Sequence, residues 1–308
     1  MSEAVVFENY SAEMKGREVL RRASFTVVPG EVAAVFGRPG SGKSCIARTL
    51  CGLLKGSAGS VRVLERDVAS IASSSTRSVS VGLQTPSFAP DLTVHENLEH
   101  QAVLWKIPRR KRTGRIAFLT QVLDLEPVLR TRAGWLSEGQ RQILEIGRAL
   151  LPETPVIVLD SLLDHIDPKT RNTIIRHIFE TARKNHTAFL ITTTSAEVAE
   201  LCDKIIILEE GRTLAADTPE DIRATAHDEI VVVQTVDNPL LKKRISERFK
   251  VVVREEGGDL KFSLPQGDIA AAELLSELDS QVSCVRVRRQ TLYDIAEELA
   301  APEEEWKR

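Results

Sequence analysis

Short apolar runs alternate with amphipathic stretches over the first two thirds of the chain, and each kind predicts a different element. The apolar runs predict buried strands in EVAAVFG (31–37), VSVGLQ (79–84), PVIVLD (155–160), TAFLIT (187–192) and KIIILEEGR (204–212). Helical spacing predicts helices in SCIARTLCGLL (44–54) and in EGQRQILEIGRALL (138–151), which Pro152 stops. Strands that alternate with helices indicate an α/β fold, with a mostly parallel sheet covered by helices on both faces.

The segments between these elements are more polar. KGSAGS (55–60) is typical of a turn, and the serine-rich SIASSSTRS (70–78) of a surface loop. Residues 92–130 alternate helical patterns with basic loops. Within them, the run RRKR at 109–112 is expected to form a solvated turn.

The pattern changes after residue 224, which predicts a second, smaller domain. Strands are expected in DEIVVVQTV (228–236), KVVVRE (250–255), DLKFSL (259–264) and QVSCVRVRR (281–289), and helices in NPLLKKRISERF (238–249) and DIAAAELLSELDS (268–280). This order of elements is that of the α+β ferredoxin-like split arrangement. A last helix is expected to start near Thr291, which forms a capping pair with Asp294 three residues further on. The tail PEEEWKR is expected to fray. We therefore predict domains at residues 1–222 and 225–308.

Composition narrows the functional classes. The 308 residues include 41 lysines and arginines against 44 aspartates and glutamates, a net charge of −3, which gives no case for nucleic acid as a partner. No apolar run reaches the length of about 20 residues that a membrane-spanning helix needs. The first ten residues, MSEAVVFENY, do not read as a secretory signal. The four cysteines lack metal-ligand spacing, so reduced thiols in a cytosolic protein are expected.

The sequence GRPGSGKS (37–44) follows a predicted strand, opens a predicted helix and fits the phosphate-binding pattern G-x-x-x-x-G-K-[ST]. Its glycines allow the backbone N–H groups to face phosphate oxygens at a helix N-terminus. Lys43 is placed to reach the β- and γ-phosphates, and Ser44 offers a hydroxyl to Mg²⁺. The motif therefore predicts a bound nucleotide with Mg²⁺, and the resemblance described next implies that the nucleotide is ATP.

Two further segments identify the kind of nucleotide-binding protein. WLSEGQRQ (135–142), with Gln84 before it and VIVLD (156–160) after it, resembles the signature of the ATP-binding cassette (ABC) ATPases, and the resemblance extends over residues 1–215. It implies a P-loop nucleotide hydrolase fold with a RecA-like core, a helical subdomain at about 86–136 and N-terminal antiparallel strands. PDLTVHENLEHQAVLWKIPRRKR (90–112) and RRQTLYDIAEELA (288–300) resemble segments of the export-type branch.

The resemblance also implies roles for individual residues. The nucleotide-binding residues would be Gly37, Arg38, Pro39, Gly40, Ser41, Gly42, Lys43, Ser44, Cys45, Gln84 and Asp160, of which Ser44, Gln84 and Asp160 would hold Mg²⁺. The signature residues, which serve the nucleotide of the opposite subunit in a head-to-tail dimer, would be Ser137, Glu138, Gly139 and Gln140. Asp167 would cross the dimer interface.

Three positions depart from the family pattern. Ser161 stands where the catalytic glutamate is expected, and Thr193 where a histidine contacts the γ-phosphate. Met14 stands where an aromatic residue usually stacks on adenine, with Tyr10 as a possible substitute. Loss of a general base typically costs on the order of 10²–10⁴ in rate. No catalytic residue is therefore expected in the chain's own site, although the groups that bind ATP are present.

The expected function is that of an ATP-binding subunit in an ABC transporter complex, degenerate in its own site. Its partners would be an integral membrane permease and a second ABC ATPase subunit, in a heterodimer rather than a homodimer. The location implied is cytoplasmic, on the inner face of the cell membrane through the permease. The alternatives are a weakly active homodimer, a soluble cassette protein acting on ribosomes or DNA, and a regulatory ATP sensor outside transport.

Overall fold

The computed structural model describes residues 3–68, 78–225, 228–235, 238–265, 267–269, 271–272 and 282–300. The predicted serine-rich loop and the predicted frayed tail lie almost wholly outside these residues. The chain divides into two compact units, Met1–Pro219 and Glu220–Arg308. The predicted domain limits, 1–222 and 225–308, differ from this division by a few residues and remain a prediction.

The first unit contains ten strands within the described residues, numbered here in chain order. They are β1 (Val5–Met14), β2 (Arg17–Val27), β3 (Val32–Phe36), β4 (Gly56–Val63), β5 (Arg66–Asp67), β6 (Val79–Gly82), β7 (Val156–Asp160), β8 (Ala188–Thr193), β9 (Lys204–Glu209) and β10 (Arg212–Asp217). The five strands predicted from apolar runs are all present, and no end is shifted by more than three residues.

The central sheet has six strands in the order β10-β9-β3-β8-β7-β6. Five of them are parallel, and β10 pairs antiparallel with β9 at one edge. All residues of β3, β7 and β8 are buried. Strands covered on both faces have apolar side chains on both faces, which is why their sequences show continuous rather than alternating hydrophobicity.

A second sheet, in the order β2-β1-β4-β5, is antiparallel and contains the predicted N-terminal strands. It also corrects one prediction, because most of the supposed turn at 55–60 belongs to β4. Glu8 pairs with Ser60, and Ser11 with Ala58, so the backbone of β1 supplies the partners of a segment with little side-chain preference.

The first unit has six α-helices in the described residues, and a seventh helix starts at its last residue. The six are α1 (Lys43–Leu50), α2 (Val94–Leu104), α3 (Arg109–Val122), α4 (Glu138–Leu150), α5 (Pro168–Asn185) and α6 (Ala196–Glu200), and most of the seventh, α7 (Pro219–Ala224), belongs to the second unit. The basic run 109–112 is the first turn of α3, where a turn outside a helix was expected. Pro108 precedes it, and its fixed φ suits the residue before a helix. The predicted helical subdomain contains α2 and α3.

The second unit has a four-stranded antiparallel sheet in the order β12-β13-β11-β14. Its elements are β11 (Glu229–Thr235), α8 (Asn238–Phe249), β12 (Arg254–Glu256), β13 (Asp259–Leu264), β14 (Val282–Arg289) and α9 (Leu292–Ala300). The strand expected at 250–255 is shorter and begins only at Arg254. The helix expected at 268–280 lies mostly outside the described residues. Val231, Leu241 and Phe262 belong to this unit's own hydrophobic core.

No helix in the described part of the chain is long and apolar enough to cross a membrane.

Candidate functional site

The candidate site lies at the carboxyl ends of four neighbouring strands. The order β3-β8-β7-β6 places the loop after Phe36, the end of β8 at Thr193, the end of β7 at Asp160 and the segment after Gly82 along one edge of the sheet. Ligands of open α/β sheets bind at this edge. The sequence motifs, which are far apart along the chain, therefore meet in one place.

The phosphate loop of residues 37–44 depends on glycine at two points. A Cβ on Gly37 would lie 2.1 Å from the Leu208 carbonyl oxygen, and Gly42 has φ of 107° as it caps α1. Neither position accepts another side chain without movement. Arg38, Pro39 and Gly40 are exposed at the tip of the loop, whereas Ser41 and Cys45 are buried.

Lys43 is the charged centre of this loop. Its Nζ donates hydrogen bonds to the carbonyl oxygens of Gly37 and Arg38, both at 2.7 Å, and its residue is only 6 % exposed. Burial lowers the pKa of the Lys43 ammonium, while the carboxylates of Asp164 and Asp160 oppose that shift. A buried ammonium group among glycine amides fits a phosphate group, whose oxygens would replace these carbonyl partners.

Asp160 joins the phosphate loop to the two central strands. Its Oδ1 accepts hydrogen bonds from the Ser44 hydroxyl at 3.0 Å and from the Thr192 hydroxyl at 2.6 Å. A carboxylate and a hydroxyl at this separation are the hard oxygen ligands that Mg²⁺ prefers. The residues present therefore fit Mg-ATP, with Ser44 and Asp160 at the metal and Lys43 at the phosphates.

Ser161 and Thr193 occupy the positions at which the resemblance implies a glutamate and a histidine. Ser161 has φ of 54°, and its backbone N–H donates to both the carbonyl and the hydroxyl oxygen of Thr192 at 3.0 Å. Its hydroxyl lies 3.4 Å from the Thr192 hydroxyl. Thr193 is fully buried. Neither side chain carries a base, so this edge of the sheet has hydroxyls where a carboxylate and an imidazole were expected.

Asp164 approaches the end of β8 from the loop after β7. Its Oδ1 accepts a hydrogen bond from the Thr193 hydroxyl, and its Oδ2 accepts the backbone N–H of Thr194 at 2.9 Å and the Thr194 hydroxyl at 3.0 Å. The Thr193 hydroxyl in turn accepts the Ser195 N–H at 2.9 Å. This carboxylate, three residues beyond Ser161, is thus engaged by the threonines.

Gln84 lies two residues beyond the end of β6, on an exposed segment. A buried ion pair, which the sequence analysis missed, holds the residues that follow it. Glu145 Oε1 accepts the backbone N–H groups of Ser87 at 2.6 Å and Phe88 at 3.0 Å, and Arg148 donates to the same oxygen at 2.7 Å. The sequence contained one signal for this ion pair: an acidic and a basic residue three positions apart on the apolar face of α4.

The signature residues begin α4. Ser137 is its N-cap: the Ser137 hydroxyl accepts the Gln140 N–H at 3.3 Å, and the Gln140 side chain accepts the Ser137 N–H at 3.0 Å. This capping box fixes the first turn. Ser137 and Glu138 are exposed. A Cβ on Gly139 would find its nearest neighbour, the His165 carbonyl oxygen, 3.9 Å away, so packing within this chain does not require a glycine there.

Asp167 is the N-cap of α5 and accepts the Thr170 N–H at 3.0 Å. The hydrogen bond to the Thr170 amide lowers the pKa of this exposed carboxyl group. Asp167 is therefore an exposed carboxylate at the start of α5, and its place at a dimer interface remains a prediction.

The structure corrects the suggested role of Tyr10. Its ring is buried edge-to-face against Phe7, and its hydroxyl donates to the Leu54 carbonyl at 3.3 Å. It is an internal residue of the antiparallel sheet and has no face for adenine. Met14 is half-buried, and its sulfur lies 3.1 Å from the guanidinium of Arg48 on α1. Of the two candidates, only Met14 remains.

Comparison with known proteins agrees with this geometry. The family model described as ABC transporter matches residues 20–163. The Nod factor export ATP-binding protein I of Rhizobium etli is 30% identical over 219 residues, which are 71% of this chain and 69% of that protein. An uncharacterized ABC transporter ATP-binding protein of Bacillus subtilis, YdbJ, is 28% identical over 78% of both chains.

Solved structures give the same result for the fold. The ATP-binding subunit of an ABC transporter superposes with a TM-score of 0.66 at 26% identity, over 72% of this chain and 92% of that one. A dimeric ATP-binding cassette bound to ADP and Pi superposes with a TM-score of 0.63 at 22% identity, over 70% of this chain and 98% of that one. The phosphate loop at the edge of a parallel sheet, the signature at the start of α4 and these similarities show that the chain belongs to the ATP-binding proteins of the ABC transporter family.

Proposed function

We propose that this chain holds Mg-ATP in its own site without useful turnover and completes an active site on a partner ATPase through Ser137, Gly139 and Gln140. ABC ATPase subunits generally work with a membrane permease, and the complex proposed here would include one. The permease would place the chain at the inner face of the cell membrane. The observation that supports low turnover is Ser161. It stands beside Asp160 at the end of β7, where a second carboxylate would be needed as the base.

Binding is supported by the contacts around the phosphate loop. Lys43 is buried among carbonyl oxygens that a phosphate group would replace, and Ser44 and Asp160 are already within hydrogen-bond distance. These groups act on the phosphates and the metal, and none depends on residue 161 or 193. Affinity for Mg-ATP therefore survives when the reactive groups are absent.

Low turnover is supported by what surrounds the missing base. Asp160 already accepts hydrogen bonds from Ser44 and Thr192, and Asp164 accepts three from Thr193 and Thr194. A general base must lie within hydrogen-bond reach of the proton that it removes. The hydrogen bonds hold both aspartates against the strand ends, and neither stands at position 161, where the family pattern has the glutamate.

The partner half of the proposal is supported by Gly139. Within this chain there is room for a side chain at position 139. The missing Cβ therefore favours the close approach of a group from another molecule. Ser137 is exposed beside it, at the start of a helix whose free N–H groups attract an anion. A γ-phosphate held by a second subunit fits this surface. If that subunit has an intact catalytic site, it differs from this chain, and the favoured assembly is a heterodimer.

The test is to measure Mg-ATP binding and phosphate release by the purified chain alone. We expect saturable binding, phosphate release near background, and binding weakened about 10–100-fold by Lys43→Ala, which removes a charged hydrogen-bond donor. Lys184→Ala, an exposed lysine late in α5, is the matched control and should bind as the wild type does. Robust turnover that Lys43→Ala abolishes would refute the proposal, whereas slow turnover that Lys43→Ala abolishes would support the weakly active homodimer.

Affinity purification with this chain as bait tests which assembly it belongs to. Recovery with an integral membrane protein and an intact ABC ATPase supports the transport complex. Recovery with ribosomes or DNA would support the soluble cassette alternative. Recovery of neither, with ATP binding retained, would favour a regulatory ATP sensor.

A further inference from the structure

Asp164 connects two loops that meet at the candidate γ-phosphate position. It comes from the loop after β7, and its two carboxylate oxygens receive three hydrogen bonds from the residues that end β8 and follow it. Hydrogen bonds to an ionised group are stronger than those between neutral groups. Residues 193–195, which we call the switch segment, are therefore fastened to the other loop by one side chain.

The hydrogen-bonding capacity of Thr193 is committed by this arrangement. A threonine hydroxyl has one hydrogen to donate. Thr193 donates it to Asp164 and accepts the Ser195 N–H with its oxygen, while the residue itself is fully buried. The hydroxyl therefore has no hydrogen left for a phosphate oxygen as long as Asp164 holds it.

Asp164 also places a negative charge near the phosphate loop. Its carboxylate opposes the lowering of the Lys43 pKa more than any other charged group does, so it lies within electrostatic reach of that ammonium. The same carboxylate repels a γ-phosphate that moves towards the switch segment. Charge and hydrogen bonding both keep the segment away from the nucleotide.

We propose that Asp164 is a positioning residue that locks the switch segment in one arrangement whether or not ATP is bound, a proposal that rests on the proposed function. The inactivity of the site then has a third determinant besides positions 161 and 193. A histidine introduced at 193 would be drawn to the Asp164 carboxylate instead of the γ-phosphate. Restoring the two reactive groups would thus be insufficient while Asp164 remains.

The first test is hydrogen exchange of the Thr194 amide in the full-length chain, with and without Mg-ATP. In the wild type we expect protection that Mg-ATP does not change. Asp164→Ala should exchange about tenfold faster without nucleotide, since a hydrogen bond to a charged acceptor is lost. Asp164→Asn keeps a single acceptor oxygen and should give an intermediate rate, and it serves if the alanine variant does not fold.

Asp217→Ala is the matched control for exchange. Asp217 Oδ1 also accepts a backbone N–H, that of Thr218, at 2.9 Å, but it lies at the end of β10. Its removal should leave Thr194 exchange unchanged. A Thr194 amide that exchanges at the wild-type rate in both Asp164 variants would overturn the proposal.

The second test compares kcat and KM for ATP in Ser161→Glu with Thr193→His, and in the same pair with Asp164→Ser added. We expect the third change to raise kcat about tenfold, with KM little altered, because it releases one competing charged contact. Equal kcat values would show that Asp164 does not restrain the restored histidine. Turnover by the wild type would refute the proposed function, yet the exchange experiment would still decide the role of Asp164.

Discussion

Glu145 and Arg148, one turn apart on α4, form an ion pair with 2.7 Å between Oε1 and Nη1, and their side chains are only 2% and 9% exposed. The pair ties the signature helix to the segment after Gln84, because Glu145 also accepts the backbone N–H groups of Ser87 and Phe88. Two parts of the molecule that the proposed function assigns to different nucleotide sites thus share one carboxylate.

Glu145→Ala should destabilise the first unit by about 3–5 kcal/mol, since it leaves a buried guanidinium without its charged partner. The measurement is the free energy of unfolding from denaturant titration. Glu8→Ala is the control: Glu8 pairs with Arg62 at the same 2.7 Å, but the two side chains are 51% and 37% exposed. An equal effect of the two substitutions would mean that burial does not decide the strength of the Glu145 pair.

Ser137 and Lys43 should affect the assembled complex differently. Under the proposed function, Ser137→Ala removes a hydroxyl that donates to the partner's nucleotide, and loss of such donors costs about 10²–10³ in rate. Lys43→Ala weakens nucleotide holding only at this chain's own site and should reduce turnover less. Steady-state ATPase of the reconstituted complex measures both. A larger loss from Lys43→Ala would reverse the assignment and make Ser161 a tolerated residue in a working site.

Residues 225–308 should fold without the rest of the chain. This segment has its own sheet and a core formed by Val231, Leu241, Phe262 and their neighbours. We expect a soluble fragment that unfolds cooperatively in urea, as followed by circular dichroism. A random-coil spectrum would show that the predicted domain limits are wrong or that the unit needs the first one to fold.

Asp294 should make the second unit sensitive to acid. Burial by itself would raise the pKa of this carboxyl group, but hydrogen bonds from Arg288, Lys261 and Thr291 hold it well below its ordinary value of 3.8. A carboxyl group with a lowered pKa stabilises the fold above its ordinary pKa, and the contribution disappears as the pH falls through the lowered value. The stabilisation is therefore complete at neutral pH and declines only below about pH 4.

Asp294→Asn should accordingly reduce the free energy of unfolding at pH 7 by about 1.5–3 kcal/mol, the contribution of hydrogen bonds to a charged group. The difference from the wild type should narrow as the pH is lowered from 4 to 2. Asp268→Asn, which changes an exposed aspartate of the same unit, should show no such trend. A difference that stays constant with pH would contradict the assigned role of the charge.

The local sequence was sufficient wherever one segment determines its own conformation. The five apolar runs of the central sheet predicted their strands. Three of these strands, β3, β7 and β8, are buried along their whole length, and strands buried on both faces need continuous apolar sequence. The phosphate loop was equally evident, since its glycines and its place between a strand and a helix are properties of eight consecutive residues, 37–44.

Prediction failed where the partner of a segment is far away in the chain. Gly56–Ser60 has weak preferences of its own and becomes a strand because β1 lies beside it. Tyr10 was a reasonable adenine contact from its spacing to Met14, but the packing of Phe7 and the Leu54 carbonyl encloses it. In both cases tertiary contacts override a local preference that is small in free energy.

The sequence alone determined that this chain has the groups to bind Mg-ATP and that it lacks a glutamate at 161 and a histidine at 193. Only the tertiary structure decided what takes up the space around those positions. Thr192 meets Asp160, and Asp164 meets Thr193 and Thr194, across about 30 residues of sequence. The reason is physical: residue identity fixes which charges and hydroxyls exist, whereas the pairing of β7 with β8 fixes which of them are near enough to bond.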